Sequence, residues 1–437
     1  MATWQRPDAT QAMETAMEVG QTSTPLTTSV TYALFVVFGI GSWVTVNGLF
    51  SELSLLVVSL PEGWRLGSVL AVVVQLANIG PVLLYGLRRW HFKTQRLGSE
   101  QLLLTWATYG VLGLGAVSMA LLACTWHITV YVLGAERSLP LLLFTFGAAF
   151  ADCTSSLLFW RFAGAFRAVH ISALAAGEGL SGAVVAVLVW MQDAAAAEPR
   201  FSAGVYFALL GVVMLFSALA YHLLRHSSSA HAERASDTQV AEQTATLPLQ
   251  RAGDDLAGFM QSSGDLHIFQ DRELVSLLVL QAWLNVLQNG VWVSCLPLAA
   301  KPYGRGTYQA TQILTLILDP LAAALGFFIK FRIRALILIV LCITAILGYV
   351  MVLSLEAVMP PLLHEGGGAL LVVLLCLGRM LTAYTKMRAN VLLKSVVPGR
   401  AEVSLMFSGV AAQFGAFVGS ITMFLLINGT SFFRGSH

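Results

Sequence analysis

Long apolar segments alternate with short polar connections along most of the chain. From residue 31 onward, runs of about 18 or more apolar residues recur, and each is long enough to cross a hydrocarbon layer of ~30 Å as a helix. The pattern predicts an all-α polytopic membrane protein with about eleven spans. They cover 31–59, 66–88, 102–125, 139–160, 170–191, 203–224, 273–298, 308–329, 332–355, 367–389 and 402–427.

One long polar stretch divides these spans into a group of six and a group of five. Residues 226–271 are rich in Ser, Ala, Gln and Asp and lack a lasting apolar periodicity, which is typical of a solvated linker. In transporters, substrate sites commonly lie at the interface between two such halves. The predicted organisation is an N-terminal segment, a six-helix bundle, the linker, a five-helix bundle and a short tail, at 1–30, 31–225, 226–271, 272–428 and 429–437.

Basic residues in the short loops are concentrated on one side of the predicted bundle, and such loops mark the cytoplasmic side of a membrane protein. We therefore expect the N-terminus and the linker to be cytoplasmic and, with an odd number of spans, the C-terminus to be extracellular. The N-glycosylation sequon at Asn428 then lies outside, very close to the membrane. The basic side carries Arg88, Arg89, Lys93, Arg96, Arg161, Arg167, Lys330, Arg332, Arg334, Lys394 and Arg400.

The composition fits this class of protein and excludes others. Of 437 residues, 57% are hydrophobic and 11% are charged, and the mean hydropathy is +0.75, whereas soluble domains carry about 25% charged residues. The net charge of +2 gives no reason to expect a nucleic-acid partner, and we expect a monomer in the lipid bilayer. The five cysteines lie in or beside apolar spans without a CxxC pair and are interpreted as small core residues.

No motif for catalysis or metal binding is present in the sequence. It contains no HExxH, no Gly-x-Ser-x-Gly and no His/Cys cluster with metal-ligand spacing. The connections between spans are also too short to build a soluble catalytic domain. We therefore predict that the protein is not an enzyme and has neither a metal site nor a cofactor.

Polar side chains within the predicted spans carry the functional signal, because each costs free energy unless it faces the bundle interior or a water-filled path. In span 1, Trp43, Asn47 and Phe50 recur at i, i+4 and i+7 and share one helix face. Further polar or aromatic candidates lie in later spans. They are Gln75 and Asn78, Asp152 and Thr154, Glu178, Asn285, Gln288, Asn289 and Trp292, Asp319, and Arg379.

The amides and aromatic residues of this set suit a flat, neutral, polar heterocycle. Each amide offers a donor and an acceptor, so amides pair well with imide-type ring edges. Trp43, Phe50 and Trp292 are candidates for stacking on the ring faces.

The acidic residues need a separate explanation, since a buried carboxylate must be paired, hydrated or protonated. Asp152 and Glu178 are candidates for binding sugar-like hydroxyls or for carrying a proton. We expect Arg379 to neutralise one of these acids or Asp319. Glu52 lies near the outer end of span 1, where a solvated side chain is the simpler expectation.

The same residues also have a purely structural interpretation. Asn, Gln, Ser and Thr in membrane helices often join helices to one another, at roughly 0.6 kcal/mol each, and a buried acid can belong to a structural salt bridge. Gly415 and Gly419 fit the small-residue pattern of close helix packing. For the amides and the acids, both interpretations stay open at this point.

Several segments occur in a fixed order that is similar to one known family. In the first half they are GSWVTVNGL at 41–49, LPEGW at 60–64, QLANIGP at 75–81, DCTSS at 152–156 and GEGLSG at 177–182. The second half matches more loosely, at Asn285, Asn289, Tyr303, Pro320, Lys386 and Gln413 among others. This series resembles the eukaryotic riboflavin transporters, solute carrier family 52, over nearly the whole chain.

The resemblance implies a facilitative or proton-sensitive plasma-membrane carrier for riboflavin, and we expect it to import its substrate by alternating access. It also implies an eleven-helix, 6 + 5 arrangement similar to the equilibrative nucleoside transporters and distantly to the major facilitator fold. Two departures affect the second half: Gln288 stands where animal members tend to have Thr, and 297–301 is built differently. The implied cavity residues are Trp43, Asn47, Asp152, Asn285 and Asn289, with Gln75 and Asn78.

Two other functions remain compatible with these residues. The polar set does not dictate a flavin, so a carrier for nucleosides or another planar heterocycle is one alternative. A membrane receptor that binds its ligand without net transport is the other. Competition by uridine would indicate the first, and saturable binding without uptake the second.

Overall fold

The computed structural model describes residues 25–94, 98–132, 134–227, 230, 272–356, 358–396 and 401–434. The first half contains α1 (Pro25–Ile40), α2 (Val44–Ser51), α3 (Leu53–Ser59), α4 (Leu66–Ala77), α5 (Ile79–Thr94), α6 (Gly98–Thr125), α7 (Leu139–Ala163), α8 (Ala168–Gln192) and α9 (Ala203–His226). The second half contains α10 (Arg272–Asn285), a π-helical segment (Val286–Trp292), α11 (Val293–Ala300), α12 (Arg305–Phe328), α13 (Ile333–Leu353), α14 (Gly367–Val396) and α15 (Ala401–Gly429). A two-stranded antiparallel hairpin, β1 (Val130–Val132) and β2 (Ala135–Arg137), joins α6 to α7.

The helices form two groups that meet along two seams. Within the first half, α1 packs against α8 and α9, and α6 packs against α7 and α9. Within the second half, α12 packs against α14, and α10 packs against α15. The halves contact each other where α8 meets α12 and where α4 meets α11 and α15, so an interface suited to a substrate path lies between the two groups.

The prediction of an all-α polytopic protein is confirmed, but the count of eleven spans is not. Among the described residues, nine helices are long and apolar enough to cross a membrane, or up to ten if the bent pair of α1 and α2 is one span. Helix α12 is not one of them, because Gln309, Gln312, Thr315 and Asp319 interrupt its apolar sequence.

The first span is broken rather than continuous. The chain bends by 46° between α1 and α2. A second break, at Glu52, separates α2 from α3. At the first break, the Ser42 hydroxyl donates to Gly39 O at 2.8 Å. Gly41 is needed there because a Cβ at this position would clash with Ser217 Oγ. The break interrupts the helix between Ile40 and Val44, and broken helices of this kind are common in transporters.

The expectation that Glu52, at the second break, is solvated is wrong. Its side chain is 0% exposed, and its Oε1 accepts a hydrogen bond from Gln192 Nε2 at 2.8 Å. The residues that follow the break, Leu53–Val57, are buried as well. The expectation of a solvated carboxylate rested on the position of Glu52 near the outer end of the predicted span 1.

Helix α15 lies directly against the backbone of α10 and of the π-helical segment. A Cβ on Gly419 would lie 2.6 Å from Val286 O, and one on Gly415 would clash with Ala282 O. The close approach agrees with the predicted small-residue packing. A π-helical segment widens the helix and redirects its side chains, and such segments occur frequently at functional sites.

At one end of the bundle, hydrogen bonds close the interface between the halves. The Tyr308 hydroxyl donates to Phe50 O at 2.5 Å, and Gln312 Nε2 donates to the same oxygen at 3.1 Å. Nearby, the backbone N–H of Ala195 donates to Gln309 Oε1 at 2.7 Å. The Phe50 carbonyl, which accepts the bonds from Tyr308 and Gln312, lies next to the break at Glu52. We refer to the end at which α3 ends and α12 begins as the closed end.

Three smaller predictions have mixed outcomes. Cys153, Cys295 and Cys376 are buried as expected, whereas Cys124 and Cys342 are exposed. Helix α1 begins at Pro25, before the predicted boundary at 31. The predicted linker at 226–271 lies almost entirely outside the described residues, as does most of the segment 1–30.

Candidate functional site

A cavity of about 420 Å³ lies between the two halves, deeper in the bundle than the closed end. Its volume falls within the range of about 300–1,000 Å³ that is usual for small-molecule sites. Helices α2 and α8 form one wall, and α12, α14 and the π-helical segment form the other. The lining residues are Trp43, Asn47, Glu178, Gly179, Ser181, Gly182, Gln288, Leu316, Asp319, Pro320, Ala323, Arg379, Ala383, Lys386, Met387 and Asn390.

A smaller pocket of about 80 Å³ continues the cavity toward the closed end. Asn47, Leu316, Asp319 and Arg379 line both spaces. The remaining lining of the small pocket places two predicted aromatic residues beside the residues that close the interface. They are Phe50, Ser51, Trp292, Val293, Leu296, Tyr308, Gln312 and Thr315.

The first wall presents an aromatic ring, an amide and a carboxylate to the cavity. Trp43 and Asn47 stand one turn apart at the start of α2. Asn47 Nδ2 donates to Ser181 Oγ at 3.4 Å. Glu178 Oε1 accepts from Trp160 Nε1 at 3.1 Å. This wall therefore combines a surface for stacking with groups that can bind hydroxyls.

An ion pair stands where the two spaces join. Arg379 Nε lies 2.6 Å from Asp319 Oδ2, and the two side chains are 21% and 25% exposed. The guanidinium also lies over the Trp292 ring, 5.6 Å from its centroid, which is within reach of a cation–π interaction. The pair connects α12 to α14 and keeps both charges compensated at the bottom of the cavity.

The sequence analysis did not assign Lys386 to the cavity, nor the other polar lining residues Ser181 and Asn390. The Lys386 Nζ donates to Asn285 Oδ1 at 2.7 Å and to Gln288 Oε1 at 2.6 Å. A signal was available in the sequence, because Arg379, Lys386 and Asn390 recur at i, i+7 and i+11 and therefore share one face of α14.

Asp152 does not line either space and instead caps a helix. Its Oδ2 accepts a hydrogen bond from the backbone N–H of Val46 at 2.9 Å, in the first turn of α2, and its side chain is 0% exposed. The first N–H groups of a helix have no partner within the helix, and a carboxylate also interacts favourably with the helix dipole there. In this conformation Asp152 fixes the start of the helix that carries Trp43 and Asn47.

The other predicted residues bond to one another or to the backbone outside the cavity lining. Asn78 Nδ2 donates to Gln75 Oε1 at 3.0 Å, and the Thr154 hydroxyl donates to Phe150 O at 2.6 Å. Asn289 Nδ2 lies 3.3 Å from Asn285 Oδ1. The structure thus brings together Trp43, Asn47, Glu178, Gln288, Asp319 and Arg379 in the cavity and Phe50 and Trp292 in the small pocket.

At the C-terminal end of α15, the sequon residue Asn428 takes part in packing. Its Nδ2 donates to Ser68 Oγ at 3.0 Å and to Phe424 O at 3.0 Å. A glycan on this nitrogen would displace a contact between the two halves.

The fold and the cavity together define a multi-pass membrane carrier for a small solute. Residues 27–198 and 190–435 match the family model described as solute carrier family 52, riboflavin transporter. The chain therefore belongs to the solute carrier 52 family of riboflavin transporters. This is a family of transporters and not of enzymes.

Curated relatives match over almost their full length. The chain is 30% identical to human solute carrier family 52 riboflavin transporter member 3, covering 91% of this chain and 95% of the relative. It is 31% identical to human member 2, with 92% and 94% covered. It is 28% identical to riboflavin transporter 2 of Salmo salar, with 93% and 97% covered.

Solved structures share the fold at low sequence identity. The nucleoside transporter NupG superposes with a TM-score of 0.57 at 16% identity, covering 94% of each chain. A D-xylose–proton symporter superposes with a TM-score of 0.58 at 14% identity, covering 92% of this chain and 90% of the other. These similarities support the predicted transporter fold.

Proposed function

We propose that this protein imports riboflavin across the plasma membrane by alternating access of the cavity between its two halves. The observation that carries the proposal is the cavity itself: it lies between the halves of a riboflavin-transporter family member, is sealed at one end, and combines an aromatic ring with amides. A flat tricyclic ring with an imide edge can stack on Trp43 while its edge pairs with Asn47 and Gln288. The ribityl hydroxyls find partners in Ser181 and Glu178.

We assign the closed end to the extracellular side, so that the structure is an inward-facing state. Arg161, in the last turn of α7, and the loop residues Arg167, Lys330 and Arg332 lie at the opposite end of the bundle, and basic residues there favour the cytoplasm. This orientation gives a cytoplasmic N-terminus and an extracellular C-terminus. The protein acts as a monomer, without a cofactor and without a nucleic-acid partner.

The direct test is uptake of labelled riboflavin by cells expressing the protein, with unlabelled riboflavin, lumiflavin and uridine as competitors. We expect saturable uptake that both flavins inhibit and uridine does not. Competition by uridine but not by lumiflavin would contradict the flavin assignment and favour a nucleoside carrier. Saturable surface binding without uptake would indicate a receptor.

Asn47 is expected to contribute directly to substrate affinity, because it lines both the cavity and the small pocket. Asn47→Ala should raise the KM for riboflavin about tenfold, since one buried hydrogen bond contributes roughly 1–1.5 kcal/mol. Uptake kinetics at equal surface expression measure this effect.

Thr125→Ala is a suitable control for the loss of a polar group from a membrane helix. The Thr125 hydroxyl is exposed and donates to Leu121 O in its own helix, far from the cavity lining. Equal KM values for Asn47→Ala and Thr125→Ala would remove Asn47 from the binding site.

We attribute any pH sensitivity of uptake to Glu178 rather than to Asp152. Glu178 faces the cavity, opposite the charged residues Asp319, Arg379 and Lys386, whereas Asp152 is enclosed beside the start of α2. Asp152→Asn retains an acceptor for the Val46 N–H and should keep the wild-type pH profile and thermal stability. Asp152→Leu removes the cap and should cost about 1–2 kcal/mol of stability.

The contrasting variant is Glu178→Gln, which we expect to flatten the dependence of uptake on external pH. The measurements are initial uptake rates across a pH series, together with thermal unfolding of the purified protein. An altered pH profile in Asp152→Asn, with a wild-type profile in Glu178→Gln, would reverse the assignment.

A further inference from the structure

The Lys386 ammonium lies in the cavity without a carboxylate partner. An ammonium has three N–H donors, and the oxygens of Asn285 and Gln288 accept two of them. Within the described residues, no carboxylate lies within ion-pair distance of Nζ, and Asp319 is bound to Arg379. The third donor therefore remains for a group that enters the cavity.

Both polar atoms of the Asn285 side chain take part in protein contacts. Its Oδ1 accepts from Lys386 Nζ at 2.7 Å and from Asn289 Nδ2 at 3.3 Å, while its Nδ2 donates to Gln281 O at 2.8 Å. Asn285 is thus a positioning residue that holds Lys386 in place. One N–H of its Nδ2 is not used in these bonds, but Asn285 lines neither the cavity nor the small pocket.

Gln288 differs from Asn285 in this respect. Its Oε1 points at Lys386, which turns its Nε2 away from the lysine. Within the part of the chain that the structure describes, this Nε2 has no hydrogen-bond partner, and Gln288 lines the cavity. The free donors of Lys386 and Gln288 are neighbours, and the acceptor between them, Gln288 Oε1, already accepts from Lys386.

We propose that Lys386 and Gln288 form a donor pair that recognises an acceptor-only edge of the substrate ring, made of a carbonyl oxygen and an adjacent ring nitrogen. The inference rests on the proposed transport of riboflavin. The isoalloxazine ring has two such edges, N1 with the C2 carbonyl and N5 with the C4 carbonyl, and each matches two neighbouring donors. Flavin-binding proteins commonly place donors or positive charge near these ring nitrogens. Lys386 is then a specificity-determining residue that contacts the substrate.

The test uses two analogues that each replace one ring nitrogen by CH, 1-deazariboflavin and 5-deazariboflavin. Their inhibition constants against labelled riboflavin uptake are compared in the wild type and in Lys386→Met. The wild type should bind one analogue about tenfold more weakly than riboflavin, the effect of one lost hydrogen bond to a charged donor. Which analogue binds weakly identifies the edge.

In Lys386→Met this discrimination should fall to within about twofold, because riboflavin loses the bond that the analogue cannot make. Lys386→Arg retains a charged donor and should retain the discrimination. Lys330→Met, at an exposed lysine between α12 and α13, serves as the matched control and should behave as the wild type. If Lys386→Met does not transport, the same ratios are measured by binding to purified protein. If it does not bind either, retention of discrimination in Lys386→Arg supports the proposal and its loss overturns it.

Two results would overturn the donor pair while leaving riboflavin transport intact. One is full discrimination in Lys386→Met at normal surface expression. The other is a wild type that accepts both analogues as well as riboflavin. Failure of the proposed function is a different result, because the wild type would then show no riboflavin uptake at all.

Discussion

Replacing Arg379 with Gln is expected to reduce riboflavin uptake about 100-fold, equivalent to about 2.7 kcal/mol. The substitution leaves the Asp319 carboxylate without its partner at the junction of the cavity and the small pocket. Breaking a fully buried ion pair costs about 3–5 kcal/mol. We expect a smaller value because the Arg379 and Asp319 side chains are 21% and 25% exposed, so water screens part of the charge. Initial uptake rates, normalised to surface protein, measure the effect.

The control is the double variant Asp319→Asn/Arg379→Gln, which removes both charges and keeps groups that can hydrogen-bond. If the unpaired carboxylate causes the loss, the double variant should recover uptake to within about tenfold of the wild type, which is about 1.4 kcal/mol less loss than in Arg379→Gln alone. A double variant as inactive as Arg379→Gln would mean that the guanidinium itself contacts the substrate. In that case the guanidinium, which lies over the Trp292 ring, would belong to the substrate site.

The broad fold could be predicted from the sequence because the membrane leaves few alternatives. A hydrocarbon layer requires each backbone polar group to bond within its own segment, so long apolar runs become helices. The count of eleven spans was not confirmed where side chains face protein or water instead of lipid. Helix α12 carries Gln309, Gln312 and Asp319 toward the interior and therefore lacks the hydropathy of a simple span.

The site could be predicted in part, and its successes depend on local spacing. Trp43 and Asn47 share a helix face that can be read from their separation in sequence, and the structure places both in the cavity. Asp152 has no such local signal. The N–H group that it caps lies 106 residues away in the chain, so a buried carboxylate looked like a substrate or proton site. The distinction between a cap and a ligand needs the tertiary contact.

Lys386 is the opposite case: it was not predicted as a site residue, but it lines the cavity. A lysine near the end of a span resembles a residue that extends toward the interface, and the sequence analysis left it outside the site. Its position depends on Asn285, at the end of α10, and on Gln288 in the adjoining π-helical segment, which accept its hydrogen bonds from another helix. The π-helical segment and the lysine are about 100 residues apart in the chain. The local sequence around one of them therefore does not predict its contact with the other.

The broken first span and the π-helical segment play matching roles in the two halves. In the first half, the break frees the carbonyl of Phe50 to bond with Tyr308 and Gln312 at the closed end. In the second half, the π-helical segment lines both the cavity and the small pocket. Under the proposed alternating access, the bonds from Tyr308 and Gln312 to Phe50 O must break when the closed end opens, because they join the two halves. The irregular backbone thus lies where the two halves must separate.

Filling the cavity should abolish transport without unfolding the protein. Ala383 lines the cavity one turn from Arg379 on α14. Ala383→Trp would extend a large ring into a space of about 420 Å³, so we expect riboflavin uptake to fall to background. A substitution that projects into a cavity avoids the overpacking cost of about 1–3 kcal/mol that is usual in a close-packed core. Surface expression and thermal stability should therefore stay near those of the wild type.

The matched control is Leu377→Trp on the same helix, since Leu377 is 45% exposed on the outer surface. We expect this variant to keep riboflavin uptake within about twofold of the wild type, as surface substitutions usually change stability by no more than ~0.5 kcal/mol. Normal uptake by Ala383→Trp, with the protein at the cell surface, would mean that the substrate does not pass through this cavity. Loss of uptake in both variants would point instead to a general sensitivity of α14. Only loss at 383 with retention at 377 places the transport path along the inner face of this helix.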